Sequence, residues 1–498
     1  MRKIYKKIEV KNRVYKKAYK STYSKNINWR IILPNEVYEK MIDSVTNVKP
    51  EFNFNDEKGL YILSLISSIP SYKKDKYYAG GYVNISSKLV RNVVSNYTDY
   101  LSYFIENEII EVNESYSNSD KKKFCKSFRY NLKGIKKLTW NIFEFDILKK
   151  TYDKILINEK AICSKPEHLT KWLNNELSID SDAVLIEIQE RLKYISSEEN
   201  NTLKKAENYL RSLKNLHFGE YWANRSPKDN RLHTNLTNMP EFFRKHIRLD
   251  DWNMAEVDFK NSQPFFLIVV LDSIMNIGKE ESNNRIIKLV EKIGISGTML
   301  QTLTQTLNSK GFQEEYSKIK ADVLNGTLYD NLERFFEFDK NIENKFMRKF
   351  YCKDSERQKM YFFDEKRDVV KRLILFFLYK ANKKSEKQED KDYLIFKNLY
   401  PNFCHVLELL KEKNSKDLPK LLQHIEADCI LDFTTKKIAE KYPNIPLYTI
   451  HDSIITTENY IDIIETETKQ YVKEYCLGLL PKLKTKFWCE ECEILKSA

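Results

Sequence analysis

The sequence predicts an α+β protein of several domains, and three observations predict it. Short β-branched runs, such as Tyr448-Thr449-Ile450 and Ser453-Ile454-Ile455-Thr456, are interspersed with longer stretches whose apolar residues recur every three or four positions. The chain has 498 residues, 42% of them hydrophobic and 13% aromatic, too long for one ordinary core and apolar enough for roughly two to four. Two aspartates, Asp258 and Asp452, stand at the ends of short apolar β-segments far apart in the chain. Carboxylates presented from separate rigid strand ends suit the binding of divalent cations a few ångströms apart.

Lys and Arg outnumber Asp and Glu by 84 to 71, a net charge of +13. Such a surplus fits a phosphate-lined partner, and it equally fits a solvated surface rich in Lys, Asn, Ile and Tyr. Of eight cysteines only Cys489 and Cys492 are closely spaced; without a second pair this is a weak sign of zinc or redox chemistry, and the others read as reduced thiols. No apolar run approaches the roughly 20 residues of a membrane span, residues 265–271 and 373–378 included. The basic N-terminus has no apolar stretch after it, so no signal peptide is expected. These features point to a soluble protein of the cytoplasm of a bacterial or phage-infected cell.

Residues 1–75 open with a Lys/Tyr-rich arm, followed by a small α/β segment around Ile31-Ile32-Leu33-Pro34 and Leu60-Tyr61-Ile62-Leu63. Residues 76–135 read as a compact unit. Gly80-Gly81 is a turn, Tyr82-Val83-Asn84-Ile85 an extended piece, and Ser86 or Ser87 caps a helix that runs to Val94. A second helix from Tyr97 sets Leu101, Phe104 and Ile105 on one face. Ile109-Ile110-Glu111-Val112 alternates as a strand does, a polar tip at 117–123 carries Lys121, Lys122 and Lys123, and residues 124–132 return. This order resembles a winged-helix module, in which Lys88, Arg91 and the tip lysines would face phosphates; the alternative is a small packing domain with solvated lysines. From about 140 to 225 the pattern is helical, with Leu169, Trp172, Leu173 and Leu177, then Val184, Ile186, Ile188 and Leu192, on apolar faces. From 231 onward short strands mix with long helices, and the charge run at 383–391 is expected to be a solvated loop.

Four later blocks carry a more specific resemblance. Arg231-Leu232-His233-Thr234, Asn235-Leu236-Thr237-Asn238-Met239-Pro240 and Asp258-Phe259-Lys260-Asn261-Ser262-Gln263-Pro264 together look like the palm of family A DNA polymerases. There a Gly-Arg-Leu segment precedes Asn-Leu-Gln-Asn-Ile-Pro and the strand with the first metal-binding aspartate; Asn230 stands here where the family has glycine. Arg367, Lys371, Leu375 and Tyr379 fall four apart, along one helix face. This is similar to the fingers helix of family A and of the single-subunit phage-type RNA polymerases, with Lys380 in place of the usual glycine. Gln423-His424-Ile425-Glu426-Ala427-Asp428 resembles the family's Gln-x-x-x-Ala-Asp helix. His451-Asp452-Ser453 closes the series; the serine resembles the RNA polymerases, where the DNA enzymes usually carry glutamate. The resemblance covers about 231 to 488, in the family's order, with a longer gap before the fingers helix and a shorter one after it.

The resemblance implies a right-hand polymerase: a palm with a small antiparallel sheet (231–270 and 401–498), helical fingers (271–400) and a thumb-like region (136–230), preceded by the winged-helix-like domain. It implies Asp258 and Asp452 as catalytic carboxylates holding two Mg²⁺ ions, with the backbone carbonyl of Phe259 completing one of them. Arg367, Lys371, Tyr379 and Gln263 would meet the incoming nucleotide, and Arg231, Asn238, Gln423 and His451 the primer and template. The family excludes ribose with a glutamate at the position of Gln263, so the choice between dNTP and NTP stays open. The expected activity is template-directed addition of nucleoside triphosphates to a 3′-hydroxyl by a DNA polymerase replicating a phage, plasmid or other mobile element. A single-subunit RNA polymerase or primase on the same fold is one alternative, and a non-catalytic winged-helix DNA-binding protein another. Glu144 and Asp146 form a lone Glu-x-Asp pair, so no proofreading exonuclease is expected.

Overall fold

The computed structural model describes residues 26–72, 82–85, 87–91, 93–114, 117–119, 122–124, 126–133, 140–148, 166–174, 176–193, 208–213, 215–217, 219–278, 283–292, 294–295, 297–341, 345–351, 358–380, 382 and 391–489. Backbone contacts divide the chain into two units: Met1–Ala161, Ser178–Tyr221 and Asn238–His246 form the first, and Ile162–Leu177, Trp222–Thr237 and Ile247–Ala498 the second. Among the described residues no helix is long and apolar enough to cross a membrane.

In the first unit, strand β1 (Asn26–Pro34) runs directly into α1 (Asn35–Asn47). Pro34, with no N–H to give a ladder, marks the change. After α2 (Asp56–Tyr72) come β2 (Val83–Asn84), α3 (Ser87–Arg91), α4 (Tyr97–Glu106), β3 (Ile110–Asn113), a β4–β5 hairpin (Ser117–Ser119 and Lys122–Phe124), β6 (Ser127–Tyr130) and β7 (Trp140–Leu148). β2, β6 and β3 form an antiparallel sheet in that order, on which α2 packs. Leu33, Met41, Leu60, Leu63, Tyr100 and Phe104 share its core. Gly59 in α2 permits the closest approach there, since a Cβ would lie 2.9 Å from the tip of the Phe54 ring.

The expected order of helix, helix, strand, tip and strand is present, although the first helix ends at Arg91 rather than Val94. The helix expected from about 140 is replaced by β7, paired over nine residues with β1. Its Phe143, Phe145 and Ile147 alternate with Glu144 and Asp146, a period of two that favours a strand. A later helix, α5 (Ser181–Lys193), buries Val184 and Ile188, while its Glu187 accepts from Lys245 at 2.6 Å and pairs with His246 at 3.1 Å.

Strand β8 (Leu177–Ile179) lies where the chain passes between the units. In the second unit β9 (Ala223–Arg225) pairs with β10 (Leu232–Thr234). β11 (Ile247–Leu249) turns through Asp250 and Asp251, both at positive φ, into β12 (Trp252–Phe259). Two positive-φ residues are what a tight two-residue hairpin demands, and aspartate tolerates that region better than most side chains. β12 is flanked on both edges: β17 (Ser453–Thr457), itself hairpinned to β16 (Tyr448–Ile450), lies on one side and β18 (Leu483–Phe487) on the other. Met254 to Val257 are all buried, without the alternation of a half-exposed strand, so both faces of β12 are covered there.

Helix α6 (Ser262–Met275) follows β12 and is apolar all round, with Phe265 to Leu271 at most 2% exposed, as befits a helix enclosed by others. α7 (Asn284–Lys292), α8 (Thr298–Leu307) and α9 (Lys310–Asn325) pack against it, and α10 (Leu328–Glu333) and α11 (Lys366–Tyr379) pack against each other. A small sheet, β13-β14-β15 (Asp339–Lys340, Phe346–Tyr351, Gln358–Phe363), is inserted before α11, and this insertion with α7–α10 fills the long interval between Asp258 and Arg367. Then come α12 (Lys391–Leu399), α13 (Pro401–Leu410), α14 (Asp417–Ala427), a π-helical turn at Asp428–Thr434, α15 (Thr435–Lys441) and α16 (Ile461–Tyr475). The charge run at 383–391 lies outside the described residues except for Lys391.

Phe104 is wholly buried amid Phe54, Tyr100 and Tyr103. Phe104→Ala should destabilise the first unit by about 3–5 kcal/mol, read as a lower denaturant midpoint for this unit's exchange-protected amides with those of β12 unaffected.

Candidate active site

Strand register brings the two aspartates together. Asp258 is opposite Ser453 in the β12–β17 pairing, and Ser453 directly follows Asp452. Asp452 itself occupies the two-residue loop between β16 and β17, whose first member, His451, has φ +51. A left-handed histidine in so short a loop is uncommon, and the paired strands hold it there. Ser453 Oγ donates to Asp258 Oδ1 at 2.9 Å, and Lys486 Nζ lies 3.5 Å from Asp258 Oδ2. Lys486 also approaches Glu256 Oε1 at 3.3 Å, and the Trp488 indole donates to Glu256 Oε2 at 3.1 Å.

Asp452 differs from Asp258 in its surroundings. Desolvation, and then the negative charges of Glu426 and Asp258, push its carboxyl up to about 7; its own backbone N–H and Arg231 pull the other way. Three carboxylates thus share one neighbourhood. Glu426, 1% exposed on α14, is the most heavily bonded of them. Its Oε1 accepts from Arg231 Nε at 2.8 Å, and a terminal Arg231 nitrogen lies 2.5 Å away. Its Oε2 accepts from Ser262 Oγ at 2.8 Å and Gln263 Nε2 at 2.5 Å. Gln263 Oε1 in turn accepts from Tyr379 at 2.7 Å. Burial, then the Glu426 charge, hold the Tyr379 phenol above its ordinary range, so it is a donor at neutral pH.

Helix α11 is amphipathic in the required sense. Val369, Val370, Leu373, Ile374, Phe377 and Leu378 are buried, leaving Arg367, Lys371 and Tyr379 on the other face. Arg367 pairs with Asp330 at 3.2 Å and lies over the ring of Tyr329 at 5.3 Å. Lys371 is exposed, with no ion pair among the described residues. Arg231 follows Asn230, which has φ +59, the region that a glycine or asparagine fills most readily; the substitution noted in the sequence therefore keeps the turn. His451 is exposed, its ring centroid 6.2 Å from that of His233. Gln423, one turn before Glu426, is half-buried.

Register and packing therefore unite Asp258, Asp452, Arg231, Gln263 and Tyr379. Phe259 ends β12 with its side chain buried. Asn238 closes a short helix (Asn235–Asn238) and is exposed, and it falls in the other unit. Arg91 is exposed, with its guanidinium 5.9 Å from the Tyr97 ring centre, whereas the Lys88 side chain, Lys121 and the side chains of Lys122 and Lys123 lie outside the described residues. Cys489 is a free thiol and Cys492 lies outside them.

Sequence reasoning missed Glu426, Tyr329 and Lys486. Glu426 was detectable, since it falls in phase with buried Leu418, Leu422 and Ile425, and a glutamate on an apolar face needs a partner. Lys486 left no such signal, because only the β12–β18 register brings it beside Asp258.

Among the described residues no three His, Cys, Asp or Glu side chains form a ready-made metal cage. Asp258 and Asp452 nevertheless fit a hard divalent cation: they are oxygen donors, one near the end of β12 and one in the β16–β17 loop, and their mutual repulsion is what a cation relieves. Mg²⁺ commonly takes one or two carboxylates plus substrate phosphates.

No protein-family model and no curated protein matches the chain. Among solved structures, the POL domain of Pol1 from M. smegmatis, in complex with DNA primer-template and dNTP, is similar with a TM-score of 0.26 and 11% identity, over 62% of this chain and 56% of that one. The chain thus spans little more than half the length of that structure, and at this TM-score the likeness does not establish a shared fold.

The raised carboxyl of Asp452 sets a pH dependence for the metal-free protein. The unfolded chain releases this proton near 3.8 and the folded one near 7, so between those values the folded state binds more protons and the stabilisation it draws from this group falls as pH rises. In chelator, Asp452→Asn should match the wild type near pH 4 and melt progressively higher than it toward pH 8, at about 1–2 °C per kcal/mol relieved for a protein of this size. Melting differences that stay flat with pH would refute the assignment.

Proposed function

We propose that the chain is a template-directed nucleotidyltransferase, a DNA polymerase of family A type that extends a 3′-hydroxyl. The observation that carries this reading is the juxtaposition of Asp258 and Asp452 by the β12–β17 register, with the Arg367/Lys371/Tyr379 face of α11 in the same unit. Asp258 and Asp452, with the backbone carbonyl of Phe259, would hold two Mg²⁺ ions. When bound, those ions supply positive charge that favours ionisation of the 3′-hydroxyl and stabilises the departing pyrophosphate.

The chain's own residues do the rest. Ser453 and Lys486 orient Asp258. Lys371, exposed and without an ion pair among the described residues, is placed to neutralise a triphosphate, and Arg367 joins it on exchanging Asp330 for phosphate. Tyr379 and Gln263 face the nucleotide. Arg231, Gln423 and His451 contact primer and template, as Asn238 does in the resemblance. Residues 231–270 and 401–498 act as palm, 271–400 as fingers and 136–230 as thumb.

In the winged-helix reading of residues 76–135, α4 is the helix offered to DNA. It exposes Thr98, Asp99, Ser102 and Glu106 and carries no cation. Phosphate contacts would then fall to Lys88, Arg91 and the lysine tip, with α4 giving little affinity of its own. This disfavours a purely DNA-binding protein.

One observation favours a second reading, an RNA polymerase or primase on the same fold: His451-Asp452 is followed by Ser453, not by a glutamate. Primer extension on DNA and RNA templates, with dNTPs and NTPs and a no-template control, separates the two. Asp258→Ala and Asp452→Ala should each lower incorporation roughly 10³-fold or more, the scale of losing a catalytic group, with primer-template affinity within a few-fold of wild type. Incorporation at the normal rate by either variant would end the proposal.

A further inference from the structure

Glu426 does more than neutralise Arg231. A buried arginine–carboxylate pair is best served by two parallel bonds, one to each oxygen. Here Arg231 addresses Oε1 alone, and Oε2 is given to Ser262 and Gln263 at the first turn of α6. A carboxylate only accepts, so Gln263 must turn its NH₂ toward Glu426 and its carbonyl away. That carbonyl is the acceptor for Tyr379, the last residue of α11. Reversing the amide would set carbonyl oxygen against carboxylate and remove the acceptor from the phenol. Three separate chain segments are therefore ordered by one buried side chain.

We infer that Glu426 is a positioning residue that locks the Gln263 amide and, through it, Tyr379, and thereby makes the site prefer deoxyribose to ribose. The sugar preference rests on the function proposed above; the lock does not. With Gln263 Oε1 engaged by Tyr379 and Nε2 by Glu426, a 2′-hydroxyl arriving there meets groups already paired and must break one bond to make another. Releasing the amide removes that obstacle.

The test is a reciprocal swap. Selectivity, the ratio of kcat/KM for dNTP over NTP, should fall at least about tenfold in Glu426→Gln and in Gln263→Glu, each of which pairs like with like. It should recover in Gln263→Glu/Glu426→Gln, which rebuilds an amide–carboxylate pair in reverse. Unchanged selectivity in Glu426→Gln, or a double variant no better than its parents, overturns the inference. An arm independent of turnover uses nucleotide-free protein: amide exchange at Phe376 to Tyr379 should accelerate in Glu426→Gln and in Tyr379→Phe, and no further when the two are combined. Exchange that stays at the wild-type rate, or accelerations that add, overturns the lock. Exchange protection in α4 of the first unit serves as the folding control. A wild-type protein that incorporates neither nucleotide overturns the proposed function, and the exchange arm then decides the lock by itself.

Discussion

Like charges must be held together in this molecule, and much of the second unit follows from that requirement. Asp258, Asp452 and Glu426 would separate if free, yet the ladder between β12 and β17 brings the first two side by side and helix α14 adds the third. Backbone hydrogen bonds along a strand buried on both edges provide the rigidity for this. The strain is visible in the proton affinity of Asp452. The cation proposed above would relieve that repulsion, an exchange of stability for function.

The three carboxylates are managed in different ways. Asp258 has a hydroxyl on one oxygen and an ammonium near the other. Glu426, the deepest, has both oxygens engaged by donors from Arg231, Ser262 and Gln263. Asp452 has the least compensation and is the one whose proton is retained. Ser453 fits this economy of charge: a carboxylate there would add to the repulsion, whereas the serine donates to Asp258.

How much of this was legible beforehand depends on the range of the interaction. The α11 face could be read from its spacing of four, because a helix determines which residues are neighbours. Asp258 and Asp452 stood out through their β-branched flanks. Strand β7 stands at the start of a stretch to about 225 that reads as helical from its charge and its three- and four-residue apolar spacing, and its own alternation is only a few residues long. Glu426 lay inside a recognised motif and was passed over, since the motif drew attention to Gln423 and Asp428 on either side.

By itself the sequence determined that short strands mix with long helices from 231 onward, which residues share the exposed face of α11, and which acidic and basic groups lie at element ends. These are consequences of local sterics and of periodicities of two and 3.6, which act over a few residues. Only the tertiary structure decided that Lys486 stands beside Asp258, that Arg231 is committed to Glu426, and that Gln263 joins Tyr379 to that carboxylate. Those partners are far apart along the chain, and their pairing depends on strand register and helix packing, which no local pattern encodes.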